Sequence, residues 1–171
     1  MPNILVTGAP RTGKTTLIKT VVEELGKRVV GFITEEVVKQ GRRVGFTIRT
    51  FSGRESMLAS VDNRQTLFYI GKYGVFLENL EETVKILEEE IARGGFDLIV
   101  VDEIGKMELC SKIFKKFIIK CLDLGWVFGS IMFYDDFFTK HIKERKDTRL
   151  YILTRGNWLN VKNMILKELR S

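Results

Sequence analysis

Apolar positions recur along this chain with two different periods, and the switches between them predict alternating strands and helices. Asn3-Ile4-Leu5-Val6-Thr7 is a short apolar run, followed by a glycine-rich turn. From Lys14 to Leu25, the residues Leu17, Ile18, Val21, Val22 and Leu25 fall near helical spacing, and Gly26 supplies a C-cap. Arg28–Val38 and Arg42–Thr50 are rich in β-branched residues and Phe, and the short Lys39-Gln40-Gly41 link between them predicts a hairpin. An antiparallel hairpin beside parallel strands makes the sheet mixed. Residues 51–76 carry scattered Ser and Gly and predict loops with a short strand or two.

The second half repeats the alternation. Leu80–Arg93 is a helix with Leu80, Val84, Leu87 and Ile91 on one stripe and a run of glutamates facing water, closed by Gly94-Gly95. Phe96–Val101 is almost continuously apolar, as a buried parallel strand is. Lys112–Leu124 reads as an amphipathic helix and Trp126–Phe133 as another buried strand. Phe137–Lys146 predicts an exposed helix, Leu150–Thr154 a strand and Trp158–Leu169 a closing helix. No segment repeats. The expected fold is α/β, with helices layered on a mixed central sheet that carries an added antiparallel hairpin.

Composition narrows the partners. At 171 residues, one domain spanning 1–171 is expected. Residues 1–104 hold 14 basic and 15 acidic side chains, whereas residues 105–171 hold 14 basic and 7 acidic. The basic C-terminal third makes a nucleic-acid partner conceivable without favouring it over an ordinary solvated surface. Cys110 and Cys121 cannot make a four-thiolate zinc site or a disulfide scaffold, and the single histidine, His141, excludes a His-based metal cluster. No secretion signal and no long apolar span is present, so a cytoplasmic protein without membrane contact is expected. No feature points to a specific protein partner.

The turn after the first strand reads Gly8-Ala9-Pro10-Arg11-Thr12-Gly13-Lys14-Thr15, which fits G-x-x-x-x-G-K-[ST] at every fixed position and lies between a strand and a helix. Backbone N–H groups at such a helix N-terminus converge on phosphate oxygens. Lys14 is expected to bridge β- and γ-phosphates, Thr15 to ligate Mg²⁺, and Thr16 to assist at the α-phosphate. Arg11 either touches phosphate or points to solvent.

A second chemical element follows the apolar run: Asp102 and Glu103 end Leu98-Ile99-Val100-Val101. Asp102 at the strand tip can share the Mg²⁺ shell, and Glu103 can take the proton of a water aligned with the γ-phosphorus. This pairing predicts that the Trp126–Phe133 strand lies between the first strand and the acidic one. Ser130 then opens near the γ-phosphate, where it either polarises the attacking water or caps a turn. Lys106 and Glu108 either serve the same site or lie on the surface. Tyr73 and Trp158 are candidate base-stacking aromatics. No guanine-reading Asn-Lys-x-Asp run occurs, so broad base use is expected.

These motifs carry a resemblance. GAPRTGKTTL at 8–17, GFITEEVVKQGRRVGF at 31–46, KYGVFLE at 72–78 and LIVVDEIGKMEL at 98–109 are similar, in residues and spacing, to the cancer-related nucleoside-triphosphatases, small P-loop proteins of thermophilic microbes and animals. The resemblance implies a RecA-like P-loop fold and Mg²⁺-dependent hydrolysis of ATP, GTP, CTP and UTP to the diphosphate and phosphate. It also implies nucleotide contact from Gly8–Thr15 and from a second segment, Leu98, Ile99, Val100, Val101, Asp102, Glu103, Ile104 and Gly105. Two alternatives share the phosphate loop: a small-molecule or polynucleotide kinase, and a nucleotide-dependent switch that binds nucleic acid or protein.

Overall fold

Alternate residues of each apolar strand face opposite sides of one sheet, and each side acquires its own helices. In a computed structural model, which describes residues 2–171, nine strands form a single mixed sheet. The elements are β1 (Asn3–Thr7), α1 (Lys14–Leu25), β2 (Val29–Lys39), β3 (Arg42–Thr50), β4 (Glu55–Ser60), β5 (Tyr69–Ile70), β6 (Tyr73–Val75), α2 (Leu77–Arg93), β7 (Leu98–Ile104), α3 (Lys112–Leu124), β8 (Val127–Ile131), α4 (Phe137–Lys143), β9 (Thr148–Ile152) and α5 (Trp158–Arg170), with a 3₁₀ turn at Glu108–Cys110.

The strand order is β5-β6-β4-β3-β2-β7-β8-β1-β9. The five strands β2, β7, β8, β1 and β9 run parallel, and β3, β4, β5 and β6 extend the sheet antiparallel from β2. β8 lies between β1 and β7, as the acidic pair predicts. Ile4, Val6, Leu98, Val100 and Phe128 pack under α1 and α5, while Leu5, Ile99, Val101 and Val127 pack under α2 and α3. These neighbours in sequence fall in opposite cores, so the parallel strands are apolar throughout.

Several boundaries differ from the sequence expectation, each for a local reason. α2 begins at Leu77, because Leu77 extends the apolar stripe by one turn and packs on the core. Residues 51–76 hold three strands, two of them only two or three residues long. β9 starts two residues early, since its polar Thr148 and Arg149 pair with Asn3 and Ile4 at the sheet edge. α4 is shorter than expected and not simply exposed: Asp136 and Thr139 form a capping box, and Thr139 and Ile142 are buried. β7 does not stop at Val101. It continues to Ile104, which pairs with Ile131, and the register shifts between Val101 and Ile104.

Candidate active site

The carboxyl ends of β1, β7 and β8 converge on the N-terminus of α1, the crevice where open α/β sheets hold ligands. Gly13 caps α1 in the left-handed conformation (φ 86°), which a side chain disfavours. A Cβ on Gly8 would stand 2.5 Å from the carbonyl oxygen of Leu153, so only glycine lets the loop lie against the end of β9. Thr12 Oγ1 donates to the Ala9 carbonyl at 2.8 Å and closes the loop from within. Lys14 Nζ donates to the Gly8 carbonyl at 2.8 Å and stands 3.4 Å from Glu103 Oε2.

Asp102 and Glu103 sit inside β7, at the register shift rather than beyond a strand tip, and the peptide bond joining them is cis. A register shift re-aims side chains that a regular ladder would alternate. Asp102 is 1% exposed, whereas the Glu103 side chain is 31% exposed and open to the crevice. Ser130, fully buried on β8, donates its hydroxyl to Asp102 Oδ1. Asp102 Oδ2 is buried with no hydrogen-bond partner. Burial raises the Asp102 carboxyl to about 6. The Ser130 and Thr15 hydroxyls pull it down, Glu103 pushes it up, and Lys14 pulls it down.

Glu108, on the 3₁₀ turn, is a second buried carboxyl. Burial, then the charge of Glu103, raise it to about 8, so it holds its proton at neutral pH. Backbone N–H groups of Glu108 itself and Gly105 pull the other way.

Two depressions border the phosphate loop. One, of about 420 Å³, is bordered by Gly8, Pro10, Lys14, Glu103, Lys106 and Glu108 and walled by Phe46, Leu58, Met107 and Phe133 among others. The other, of about 370 Å³, is bordered by Arg11, Gly13, Lys14, Thr15, Thr16, Lys19, Glu35 and Glu36. Lys14 and Thr34 border both.

The structure thus brings together the loop residues, Thr15, Asp102, Glu103, Glu108 and Ser130. Lys106 is exposed at the mouth of the larger cavity. Three readings need correction. Leu98, Ile99, Val100 and Val101 are core residues, at most 2% exposed; they build the strand that delivers Asp102 but present no side chain to the crevice. Ser130 has no exposed surface, so it orients Asp102 rather than meeting a water in the crevice. Tyr73 is buried, its hydroxyl exchanging hydrogen bonds with Arg43 and its ring edge-on to Phe46, so it stacks on no base. Trp158 braces the loop: its indole N–H donates to the Gly13 carbonyl at 3.0 Å. No local pattern announces that last contact, because the two residues are 145 positions apart. Among the described residues no cluster of three His, Cys, Asp or Glu side chains forms a metal cage, and no helix is long and apolar enough to cross a membrane.

Comparison with known proteins adds to this geometry. A protein-family model described as NTPase matches residues 3–166. The nucleoside-triphosphatase THEP1 of Thermotoga maritima is 41% identical over 168 residues, covering 98% of this chain and 95% of that protein. The cancer-related nucleoside-triphosphatase homolog of Bos taurus is 33% identical over 98% of this chain and 94% of its own length. The crystal structure of THEP1 from Aquifex aeolicus superposes with a TM-score of 0.85 at 35% identity, covering all of both chains. The solution structure of a human cancer-related nucleoside triphosphatase gives 0.77 at 30% identity, over 99% of this chain and 97% of that one.

Proposed function

The chain belongs to the family of THEP1 and the cancer-related nucleoside-triphosphatases, with their P-loop α/β fold, and from that premise we propose that it hydrolyses the γ-phosphate of purine and pyrimidine nucleoside triphosphates with Mg²⁺. A RecA-like arrangement is part of this reading, supported by the placement of β8 between β1 and β7.

The observation that carries the proposal is the pairing of an orphaned buried oxygen with a glutamate turned toward the phosphate-loop lysine. Asp102 Oδ2 lacks a partner, and the Thr15 hydroxyl lies close enough to lower the Asp102 pKa. Such hard oxygen donors fit Mg²⁺, which keeps several waters and shares phosphate oxygens, so no protein cage is required. Thr15 and Asp102 would hold it, and when bound it neutralises charge developing on the phosphates. Ser130 keeps Asp102 aimed.

Lys14 now rests on the Gly8 carbonyl and beside Glu103, both of which it leaves when phosphate offers a stronger partner. That exchange frees Glu103 to accept the proton of the attacking water. Gly8, Ala9, Pro10, Arg11, Thr12, Gly13, Lys14, Thr15 and Thr16 form the cradle, with Ile104 and Gly105 flanking Glu103.

Phosphate release tests the reading across ATP, GTP, CTP and UTP, with and without Mg²⁺. Lys14→Ala is expected to retain the wild-type circular dichroism and melting profile yet lose nearly all turnover. Near-normal turnover in that variant, or release unaffected by chelation, sinks the assignment.

A further inference from the structure

Water needs little room to attack a γ-phosphate, yet the cavity beside Lys14 and Glu103 measures about 420 Å³. That lies within the roughly 300–1,000 Å³ typical of small-molecule sites. Its composition is also that of a ligand site: mostly apolar walls with a few convergent polar groups. Phe46, Leu58, Met107 and Phe133 supply the walls, drawn from the antiparallel extension, from the segment after β7 and from the segment after β8. Where the cavity borders the phosphate loop stand Lys14 and Glu103, and the buried Glu108 also lines it. At the mouth are Lys106, exposed, and Arg43, tied to Glu36 at 3.0 Å. Hydrolysis as proposed above uses only Lys14, Glu103 and the loop residues of this lining.

We propose that this cavity binds a second substrate, a small alcohol with an aromatic or other apolar body and an anionic substituent, and that its hydroxyl accepts the γ-phosphoryl group in place of water. The apolar body lies against the cavity walls, the anion meets Lys106, and the hydroxyl points to Glu103. The proton of the hydroxyl passes to the Glu103 carboxylate as the alcohol oxygen bonds to the γ-phosphorus. The bond from phosphorus to the β,γ-bridging oxygen breaks, and its electron pair leaves with the nucleoside diphosphate. The products are a phosphate monoester and the diphosphate, and Glu103 returns its proton to solvent. The proposal rests on the triphosphatase reading for the position of the γ-phosphate.

The test uses the full chain with Mg²⁺ and ATP labelled in the γ-phosphate, and three alcohols at equal concentration: methanol, benzyl alcohol and 4-(hydroxymethyl)benzoate. Chromatography separates each phosphate ester from inorganic phosphate. Methanol reaches the attack position without filling the cavity and sets the background. The expected ester-to-phosphate ratio rises at least about tenfold from methanol to benzyl alcohol, the scale of discrimination an apolar pocket provides, and further for the carboxylate. Ile70→Trp, which narrows the cavity from the edge of the sheet, is expected to return that ratio to the methanol level while phosphate release without alcohol stays within about twofold. Tyr134→Ala, which removes an exposed aromatic ring from the cavity lining, is expected to lower the same ratio and gives a second measure should the bulkier variant fail to fold.

Phosphate release with equal ratios for all three alcohols, or with no ester, overturns the acceptor site and leaves the triphosphatase reading intact. An ester ratio unaltered by both variants also overturns it. Absence of any phosphate release defeats the triphosphatase reading itself.

Discussion

Two carboxyl groups five residues apart, Glu103 and Glu108, have very different surroundings. Glu103 is open to the crevice and faces Lys14, so it is suited to accept a proton. Glu103→Gln keeps the shape but loses that basicity. It is expected to lower kcat by roughly 10²–10⁴, the usual contribution of a general base, while the nucleotide Kd changes little. Titration and phosphate release on one preparation check this, and a fall in kcat below about threefold assigns the base elsewhere. Glu108 is instead buried with its proton. Its pKa rises from an ordinary 4.5 to about 8, so the folded chain holds a proton that the unfolded chain has lost. Stability from this group is therefore intact below about 4.5 and is lost as pH climbs through about 8. Asp102 acts in the same sense over a lower window, from 3.8 to about 6. The melting temperature, measured without metal or nucleotide, is expected to fall as pH rises from about 6 to about 8, and Glu108→Gln is expected to flatten that fall. An unchanged slope in the variant contradicts a protonated Glu108.

At the scale of elements, the site depends on how closely β7 and β8 approach. A Cβ on Gly129 would lie 2.0 Å from the backbone oxygen of Val101, with no flexible side chain able to yield. Gly129→Ala must part the two strands, beside the Ser130 hydroxyl that holds Asp102. It is expected to cost at least the ~1–3 kcal/mol of an overpacked core, and to raise the Mg²⁺ concentration needed for half-maximal turnover. Denaturant unfolding and a Mg²⁺ titration read the two effects, and a variant of wild-type stability contradicts the close approach. The same elements show what a sequence discloses. β1, α1, the β2–β3 hairpin and α3 were legible because a strong apolar period coincides with a turn or cap at each end. β5 and β6 were legible only as a short strand or two without positions, since two or three residues cannot establish a period, and the start of β9 was missed because its polar Thr148 and Arg149 are held by pairing with β1 rather than by an apolar pattern. The phosphate loop was legible because one local motif contains all its parts. The register shift in β7, the Trp158 brace and the cavity walls were illegible, because each arises from contacts between distant segments.

At the scale of the whole molecule, the candidate site lies at one end of the parallel strands, and nothing in the chemistry proposed for it is specific to a base. Every group that the proposed reaction uses would meet phosphate, metal or water: the loop backbone, Lys14, Thr15, Asp102 and Glu103. Tyr73, one of the two candidate base-stacking aromatics, is committed to Arg43 and Phe46. Trp158 spends its only hydrogen-bond donor on the Gly13 carbonyl, so its indole N–H is not left to read a base edge. Discrimination among bases then rests on contacts made outside the reacting centre, where partial loss of a contact changes affinity modestly. Purine and pyrimidine triphosphates are therefore expected to be used with kcat/KM values within about two orders of magnitude, equivalent to ~2.8 kcal/mol of transition-state discrimination. Because the chemical step is shared, the differences should fall mainly in KM, with kcat similar across bases. Initial rates over a range of ATP, GTP, CTP and UTP concentrations decide the matter. Strict use of one base, or large differences confined to kcat, would mean that a base-reading group reaches the transition state and that the division between a phosphate-reading centre and an indifferent periphery is wrong.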